Sequence, residues 1–277
     1  MPVAPKLLAH GAQIPAIGFG TSGLGIIRAE HVATALRAGY RHIDTARKYG
    51  TEPAVGDGMR ASGVPRGEIF VCTKVSHENL HAADFARSVE QSLKALGVDY
   101  VDLLLVHWPQ KHTPLAETMG ALAAAKRQGF ARHIGVANFN IAMLDEAIRL
   151  CPEPLATLQV ECHPYLDQTK VIAACRERGL VLTAYCPLAR GRLAHDPVLT
   201  DIGRRYGKSC AQVALRWLMQ RHIIAAIPRS SNAARIAENI AIFDFELDQD
   251  DMRRIGALKR PDGRTANPAG RAPVWDV

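Results

Sequence analysis

No apolar run in this chain of 277 residues approaches the roughly 20 residues that a membrane-crossing helix requires, and the opening MPVAPKLLAHGAQIP lacks the apolar core of a secretory signal. No CxxC pair occurs either. The six cysteines, Cys72, Cys151, Cys162, Cys175, Cys186 and Cys210, are scattered, which in a chain this long reads as reduced thiols in a cytoplasmic protein. The net charge of +7 is not concentrated in any Lys/Arg-rich block with interleaved aromatics, so nucleic acid is not an expected partner. The modest basic concentrations in IPRSSNAARIAEN and DMRRIGALKRPDGR read instead as solvated surface plus a local anion site. Pro/Gly/Ser-rich linkers, low-complexity segments and long internal repeats are missing too, and one domain over 1–277 is the expectation. Glu161, His163 and His112 lack convincing metal spacing, so no metal and no barrel hydrolase chemistry is expected.

What the chain does have is apolar residues, 48%, in a regular rhythm. Short β-rich runs at 16–20, 41–44, 69–74, 101–106, 131–136, 157–161, 180–185 and 223–228 alternate with amphipathic helical stretches. In one of these, Phe85, Val89, Leu93 and Leu96 recur at helical spacing, and Gly97 and Gly179 lie where left-handed C-caps would end helices. Near-continuous apolar strands imply burial on both faces, as in a parallel sheet covered by helices. Eight strand–helix pairs without a linker predict an α/β protein, a closed (β/α)8 TIM barrel. His10-Gly11-Ala12-Gln13 signals a hairpin that would plug the barrel bottom. Two extra helices are expected near 197–206 and 248–258, and an irregular arm over 259–277.

Against this frame four polar residues stand out. Asp44, Lys74 and His107 end the second, third and fourth strand runs, and Tyr49 follows the second. In such barrels the strands' carboxyl ends converge on the active site, so four distant positions can share one pocket. An unperturbed phenol, with a pKa of about 10, holds its proton tightly at neutral pH. A neighbouring ammonium favours the phenolate and makes the proton transferable. Asp44 would hold Lys74 charged, and His107 would orient a carbonyl oxygen beside Tyr49.

Gly18, Gly20 and Gly23 form a literal GxGxxG, and Asp44 lies roughly twenty residues on, as a Rossmann-type NAD site would require. That reading needs a helix opening within the glycines, yet helical patterning begins only near Ala29-Glu30. A better phosphate site is Ile227-Pro228-Arg229-Ser230-Ser231-Asn232, running from the eighth strand into a helix. Ser231 or Asn232 can cap that helix, and Arg229 and Arg235 add planar donors suited to phosphate.

Together these segments resemble the aldo-keto reductase family. The likeness runs through IPAIGFGT, HIDTARKYGTEPAVG, FVCTK, VDLLLVHWP, IGVANF, LQVECHPY, TAYCPLARG and IPRSSNAARIAENIAIFDFEL, in the family's order and spacing. Within the family the chain is most similar to short bacterial reductases of the 2,5-diketo-D-gluconate and methylglyoxal reductase type, to which the ending APVWD adds.

The resemblance implies Tyr49 as general acid, Asp44 and Lys74 as its tuning pair, and His107 as the carbonyl-orienting residue. It implies NADPH extended across the barrel mouth, past Gly20 and Thr21. Asn138 and Gln159 would hold the carboxamide, and Tyr185 would stack on the nicotinamide. Leu188 and its neighbours, Arg190 included, would meet the pyrophosphate. Arg229, Ser230, Ser231 and Arg235 would grip the 2′-phosphate, with Glu238 and Asn239 near the adenine.

The chain departs from the family at Ala137, where a serine is usual, and at Arg229, where a lysine is. Ser76-His77 and Ser22 stand where pocket aromatics are frequent, which leaves Trp108 as the main wall of a polar, open pocket. Reduction of small polar carbonyls is therefore expected; the resemblance implies a monomer, and the reduced thiols a cytoplasmic enzyme. The alternative is a cofactor-binding, non-catalytic scaffold of the same family, recognised by tight NADPH binding without turnover.

Overall fold

A computed structural model of the chain describes residues 4–22, 27–110 and 112–276. Two short strands, β1 (Lys6–Ala9) and β2 (Ala12–Pro15), form an antiparallel hairpin with Ala9 opposite Ala12. Its two-residue turn is His10-Gly11, both at positive φ (46° and 85°), the twist that a tight hairpin demands. Eight parallel strands follow: β3 (Phe19–Gly20), β4 (His42–Asp44), β5 (Phe70–Val75), β6 (Val101–Val106), β7 (Ala131–Ala137), β8 (Leu155–Glu161), β9 (Val181–Tyr185) and β10 (Ile224–Ala226). They pair in chain order from β3 to β10.

The first and last strands then meet. The Gly18 amide donates to the Ala226 carbonyl at 2.8 Å and the Gly20 amide to the Pro228 carbonyl at 3.0 Å, so the sheet closes into a barrel. This closure is where the glycines of the dinucleotide-like pattern are used. A β-carbon on Gly20 would stand 2.7 Å from the Ile227 carbonyl oxygen, and one on Gly18 would stand 2.8 Å from the His42 ring. Strand seam, not phosphate cradle, explains Gly18 and Gly20. Gly23 of that pattern lies outside the described residues.

Strand alternation sorts the side chains. Cys72, Leu103, Leu105, Ala156 and Ala225 join Ala9, Ala12 and Ile14 of the hairpin in an inner cluster, so the hairpin plugs the barrel as expected. Leu104, Val106 and their counterparts face outward onto the helices. These helices are α1 (Ala29–Arg37), α2 (Glu52–Ser62), α3 (Ala82–Leu96), α4 (Leu115–Arg127), α5 (Ile141–Leu150), α6 (Thr169–Glu177), α7 (Pro197–Tyr206), α8 (Cys210–Met219), α9 (Ala233–Ile240) and α10 (Gln249–Gly256).

In α3, Phe85, Val89, Leu93 and Leu96 are the buried stripe, and Gly97 at φ 65° ends it. Gly179, at φ 64°, follows α6 in the same way. The two extra helices are α7 and α10. The remainder after α10 has no regular structure, and it runs back across the chain as an arm.

Candidate active site

Asp44 is the last residue of β4 and Lys74 lies one residue before the end of β5, so both point into the mouth from adjacent strands. Both are buried, Lys74 completely and Asp44 at 2% exposure. The Lys74 ammonium donates to Asp44 Oδ1 at 2.6 Å and to the Thr45 carbonyl at 2.7 Å. The second carboxylate oxygen of Asp44 accepts the Gln159 side-chain amide at 2.8 Å. Burial by itself pushes the ammonium toward its neutral form, but Asp44, with Tyr49 and Cys72, more than offsets it, and Lys74 stays charged.

Tyr49 ends a single 3-10 turn, Arg47–Tyr49, just beyond β4. Its ring lies beneath the Lys74 ammonium, 5.2 Å from Nζ to the ring centroid. Burial raises the phenol above its ordinary value and is the largest influence; Lys74 lowers it, Asp44 raises it, and a hydrogen bond with Ser22 lowers it. The net shift is upward. This corrects the expectation that Lys74 brings the phenol below its usual value, because loss of water outweighs the cation. The phenol therefore keeps its proton at neutral pH.

His107 follows β6 directly, and its Nε2 lies 3.3 Å from the Tyr49 hydroxyl, where either atom can donate. The two rings meet edge to face at 5.3 Å. Burial, then the charges of Lys74, His77, Arg271 and Lys48, hold this imidazole well below its usual range. It is neutral at physiological pH. The Asn138 amide, in left-handed backbone at φ 64°, donates to the His107 carbonyl at 2.8 Å and accepts from the Tyr185 hydroxyl at 2.8 Å. Phenol and imidazole thus converge on one point above a buried ion pair, a geometry able to bind a carbonyl oxygen and give it a proton.

Two neutral histidines, the half-buried His107 and the fully buried, barrel-interior His42, have depressed values in the fold. An unfolded histidine titrates near pH 6.5, so the unfolded chain binds more protons below that point. Their stabilising contribution is present above about pH 6.5 and is lost as pH falls toward the lower folded values. We expect calorimetric Tm to decline between about pH 6.5 and 5, before most carboxylates titrate. A flat Tm over that window would contradict the assignment of both rings as neutral.

The rim gathers the remaining sequence-predicted residues. The Thr21 hydroxyl donates to the Asp44 carbonyl and meets Thr51, which also meets Thr45, each at about 3 Å, so hydroxyls stitch the ends of β3 and β4 together. Gly20 sits at the seam and Tyr185 ends β9. Leu188 leads into a turn in which Ala189 and Arg190 have left-handed backbone, φ 47° and 55°. Such strain in non-glycine residues collects at functional sites. Of the two cap candidates, Asn232 caps α9, its Oδ1 accepting the Arg235 amide at 3.1 Å. Ser230 is buried and accepts the Asn232 amide at 3.0 Å, whereas Ser231 is exposed.

Arg235 is exposed on the first turn of α9, and no acidic side chain pairs with it among the described residues. Arg229 is half-buried just before that helix. Two guanidiniums, hydroxyls and a helix N-terminus fit a phosphate dianion. Glu238 and Asn239 lie farther along α9. The Glu238 carboxylate accepts the Ser209 hydroxyl of the α8 cap, and Asn239 is buried. Asn138 and Gln159 reach the site already engaged with His107, Tyr185 and Asp44, an assignment that strand-end position alone could not reveal.

Around the point where Tyr49 and His107 meet, Ser22 is exposed at the mouth. Ser76 is buried and donates to Glu78, which Lys48 holds at 2.7 Å. His77 is half-buried beside them. Trp108 is buried, and a second aromatic joins it: Trp275, from the arm, packs edge-on against it at 6.2 Å. A cavity of about 800 Å³ opens at the opposite, amino-terminal end of the barrel, beside Lys6, Phe70 and Asp102, and contains none of these groups.

Residues 16–260 match the model of the Aldo/keto reductase family. An aldo-keto reductase from Mycobacterium sp. (strain MCS) is 42% identical, covering 93% of each chain. Methylglyoxal reductase DkgB from Escherichia coli O157:H7 is 40% identical, over 95% of this chain and 99% of the relative. Among solved structures, one provisionally assigned as a 2,5-diketo-D-gluconic acid reductase B superimposes with a TM-score of 0.96 at 46% identity, covering 99% of this chain and 98% of the other. An aldo-keto reductase complexed with NADPH gives a TM-score of 0.87 at 32% identity, over 93% and 88%. This chain belongs to the aldo/keto reductase family and is an oxidoreductase.

Proposed function

We propose that the chain reduces small aldehydes and ketones to alcohols with NADPH, with Tyr49 as general acid. The observation that carries this reading is the convergence of the Tyr49 hydroxyl and a neutral His107 Nε2, 3.3 Å apart, above the buried Asp44–Lys74 pair. When bound, the reduced nicotinamide supplies the hydride that the carbonyl carbon accepts. His107, as its Nε2–H tautomer, and Tyr49 hydrogen-bond the carbonyl oxygen and polarise it. As negative charge grows on that oxygen, Tyr49 passes its proton to it. The phenolate left behind lies beside the Lys74 ammonium, which Asp44 and the Thr45 carbonyl keep charged and fixed. Asn138 holds the backbone of His107, and Gln159 holds Asp44.

Arg229, Ser230, Ser231 and Arg235 would bind the cofactor's 2′-phosphate, with Leu188 and Arg190 toward the pyrophosphate, Tyr185 and Asn138 at the nicotinamide, and Glu238 and Asn239 near the adenine. The relative solved with NADPH supports that cofactor choice. Arg235→Ala is expected to raise KM for NADPH about tenfold or more, since a charge-assisted contact is lost, and to leave KM for NADH nearly unchanged. Equal effects on both cofactors would contradict the phosphate assignment.

Substrates of the ketoaldehyde, diketogluconate-like ketoacid and β-keto ester classes fit a mouth lined by Ser22, Ser76, His77 and Trp108, with a short connection from His107 to α4. The methylglyoxal and diketogluconate reductase relatives support the first two of these classes. The reading includes a monomeric, cytoplasmic enzyme working as one barrel over 1–277. No helix among the described residues is long and apolar enough to cross a membrane. The test is NADPH and NADH consumption with methylglyoxal, 2,5-diketogluconate, a β-keto ester and an aromatic aldehyde. NADPH-preferring turnover is expected; tight NADPH binding with no turnover would favour the scaffold alternative.

A further inference from the structure

Glu161 is a fully buried carboxylate that the reaction above does not use. It ends β8, in register with Tyr185 of β9. A charge in such a place is tolerated only when its lone pairs are filled by donors. One donor is His163 of the adjoining loop, at 3.2 Å. The rest come from the carboxyl-terminal arm: Oε1 accepts the Thr265 amide at 2.8 Å and the Thr265 hydroxyl, Oε2 accepts the Ala266 amide at 2.9 Å, and Arg264 approaches Oε2 at 4.0 Å. The far end of the arm is tied as well. The Asp276 carboxylate accepts the Ile141 amide at 2.9 Å at the start of α5, and the Val274 carbonyl accepts the Asn140 amide at 3.0 Å.

Between these ties the arm has no helix or strand and little buried apolar surface to hold it. Trp275 hangs from it, with the Arg264 guanidinium 3.8 Å over its ring, its indole N–H on Asn267 at 2.9 Å, and its edge against Trp108. Trp108 is next to His107. We propose that Glu161 is a positioning residue that docks the arm at Thr265–Ala266 and so holds Trp275 against Trp108 as a wall of the carbonyl pocket. This inference rests on the reading of that pocket as the carbonyl site.

The test is Glu161→Gln in the full chain. Glutamine keeps one acceptor oxygen but turns an NH2 toward an arm amide, so that amide loses its partner. If the docked fraction falls to about one tenth, apparent substrate affinity falls about tenfold. We expect amide hydrogen exchange across 264–276 to quicken at least about tenfold in the cofactor-free protein, with the barrel strands unchanged. KM for the carbonyl should rise about tenfold while kcat and NADPH affinity change less than about threefold. Trp275→Ala should raise KM similarly, and the double variant should exceed it only slightly, because both act through one element.

Should Glu161→Gln fail to fold, Thr265→Ala removes a donor from the arm side and is read for the same, smaller changes. Unchanged arm exchange overturns the proposal. So does faster exchange with unchanged KM, or fully additive effects in the double variant. Absence of turnover in the unsubstituted protein would sink the carbonyl reading instead, and arm exchange would still decide whether Glu161 docks the arm.

Discussion

Tyr49→Phe is expected to lower kcat for carbonyl reduction by about 10²–10⁴-fold, the usual worth of a positioned general acid. The substitution keeps the ring beneath the Lys74 ammonium and the edge-to-face contact with His107, so it removes the proton and little else. NADPH affinity, read by fluorescence titration, should therefore stay close to that of the unsubstituted protein. Burial holds the phenol above its usual value, so the unsubstituted protein keeps this proton through neutral pH, whereas the phenylalanine variant has no hydroxyl whose proton a pH change could restore. Nor should the unsubstituted protein show an activity step near pH 6.5, because His107 is held neutral. Turnover in Tyr49→Phe within a few-fold of the parent would remove Tyr49 from the reaction.

The second large effect is on stability. Lys74→Met removes the ammonium from the Asp44 carboxylate and leaves that buried charge on the Gln159 amide without its cation. Breaking a buried ion pair on one side typically costs about 3–5 kcal/mol, because the remaining charge has neither water nor partner. A comparable loss is expected in urea unfolding, with turnover reduced as strongly as in Tyr49→Phe. Asp44→Asn combined with Lys74→Met should recover much of the stability, since no unpaired charge remains, yet none of the activity. If the single variant is as stable as the parent, the pair is not the buried support described above. If the double variant regains turnover, the charge on Lys74 is not needed by Tyr49.

Much of this was legible in the sequence, for identifiable reasons. Strands buried on both faces write themselves as apolar runs, and a polar residue ending such a run marks the mouth of the barrel, which is how Asp44, Lys74 and His107 could be grouped. The phosphate-binding candidates were legible through the cap chemistry of Asn232 and the two arginines around it. Boundaries were less so: β8 starts at Leu155 rather than 157, and β3 is reduced to Phe19–Gly20 because the seam before it is a single bridge at Ile17.

What periodicity could not supply were partnerships across the fold. Gln159 and Asp44 are 115 residues apart, and nothing local says that the amide of one serves the carboxylate of the other. The net upward shift at Tyr49 likewise depends on how completely neighbours exclude water. Trp275 sits in an arm without periodic pattern, and its one sequence sign was the ending APVWD, which bore on the family resemblance and not on the pocket. Glu161 lacks metal spacing, and nothing local shows that amides more than a hundred residues away would hold it.

The central claim is that the carbonyl carbon receives hydride directly while Tyr49 supplies the proton. It is tested most directly by reducing methylglyoxal with NADPH deuterated at the transferable C4 position in ordinary water, and locating the label by mass spectrometry and NMR. The account predicts deuterium on the new carbinol carbon and ordinary hydrogen on its oxygen. A product formed at the same rate with no deuterium on that carbon would contradict it.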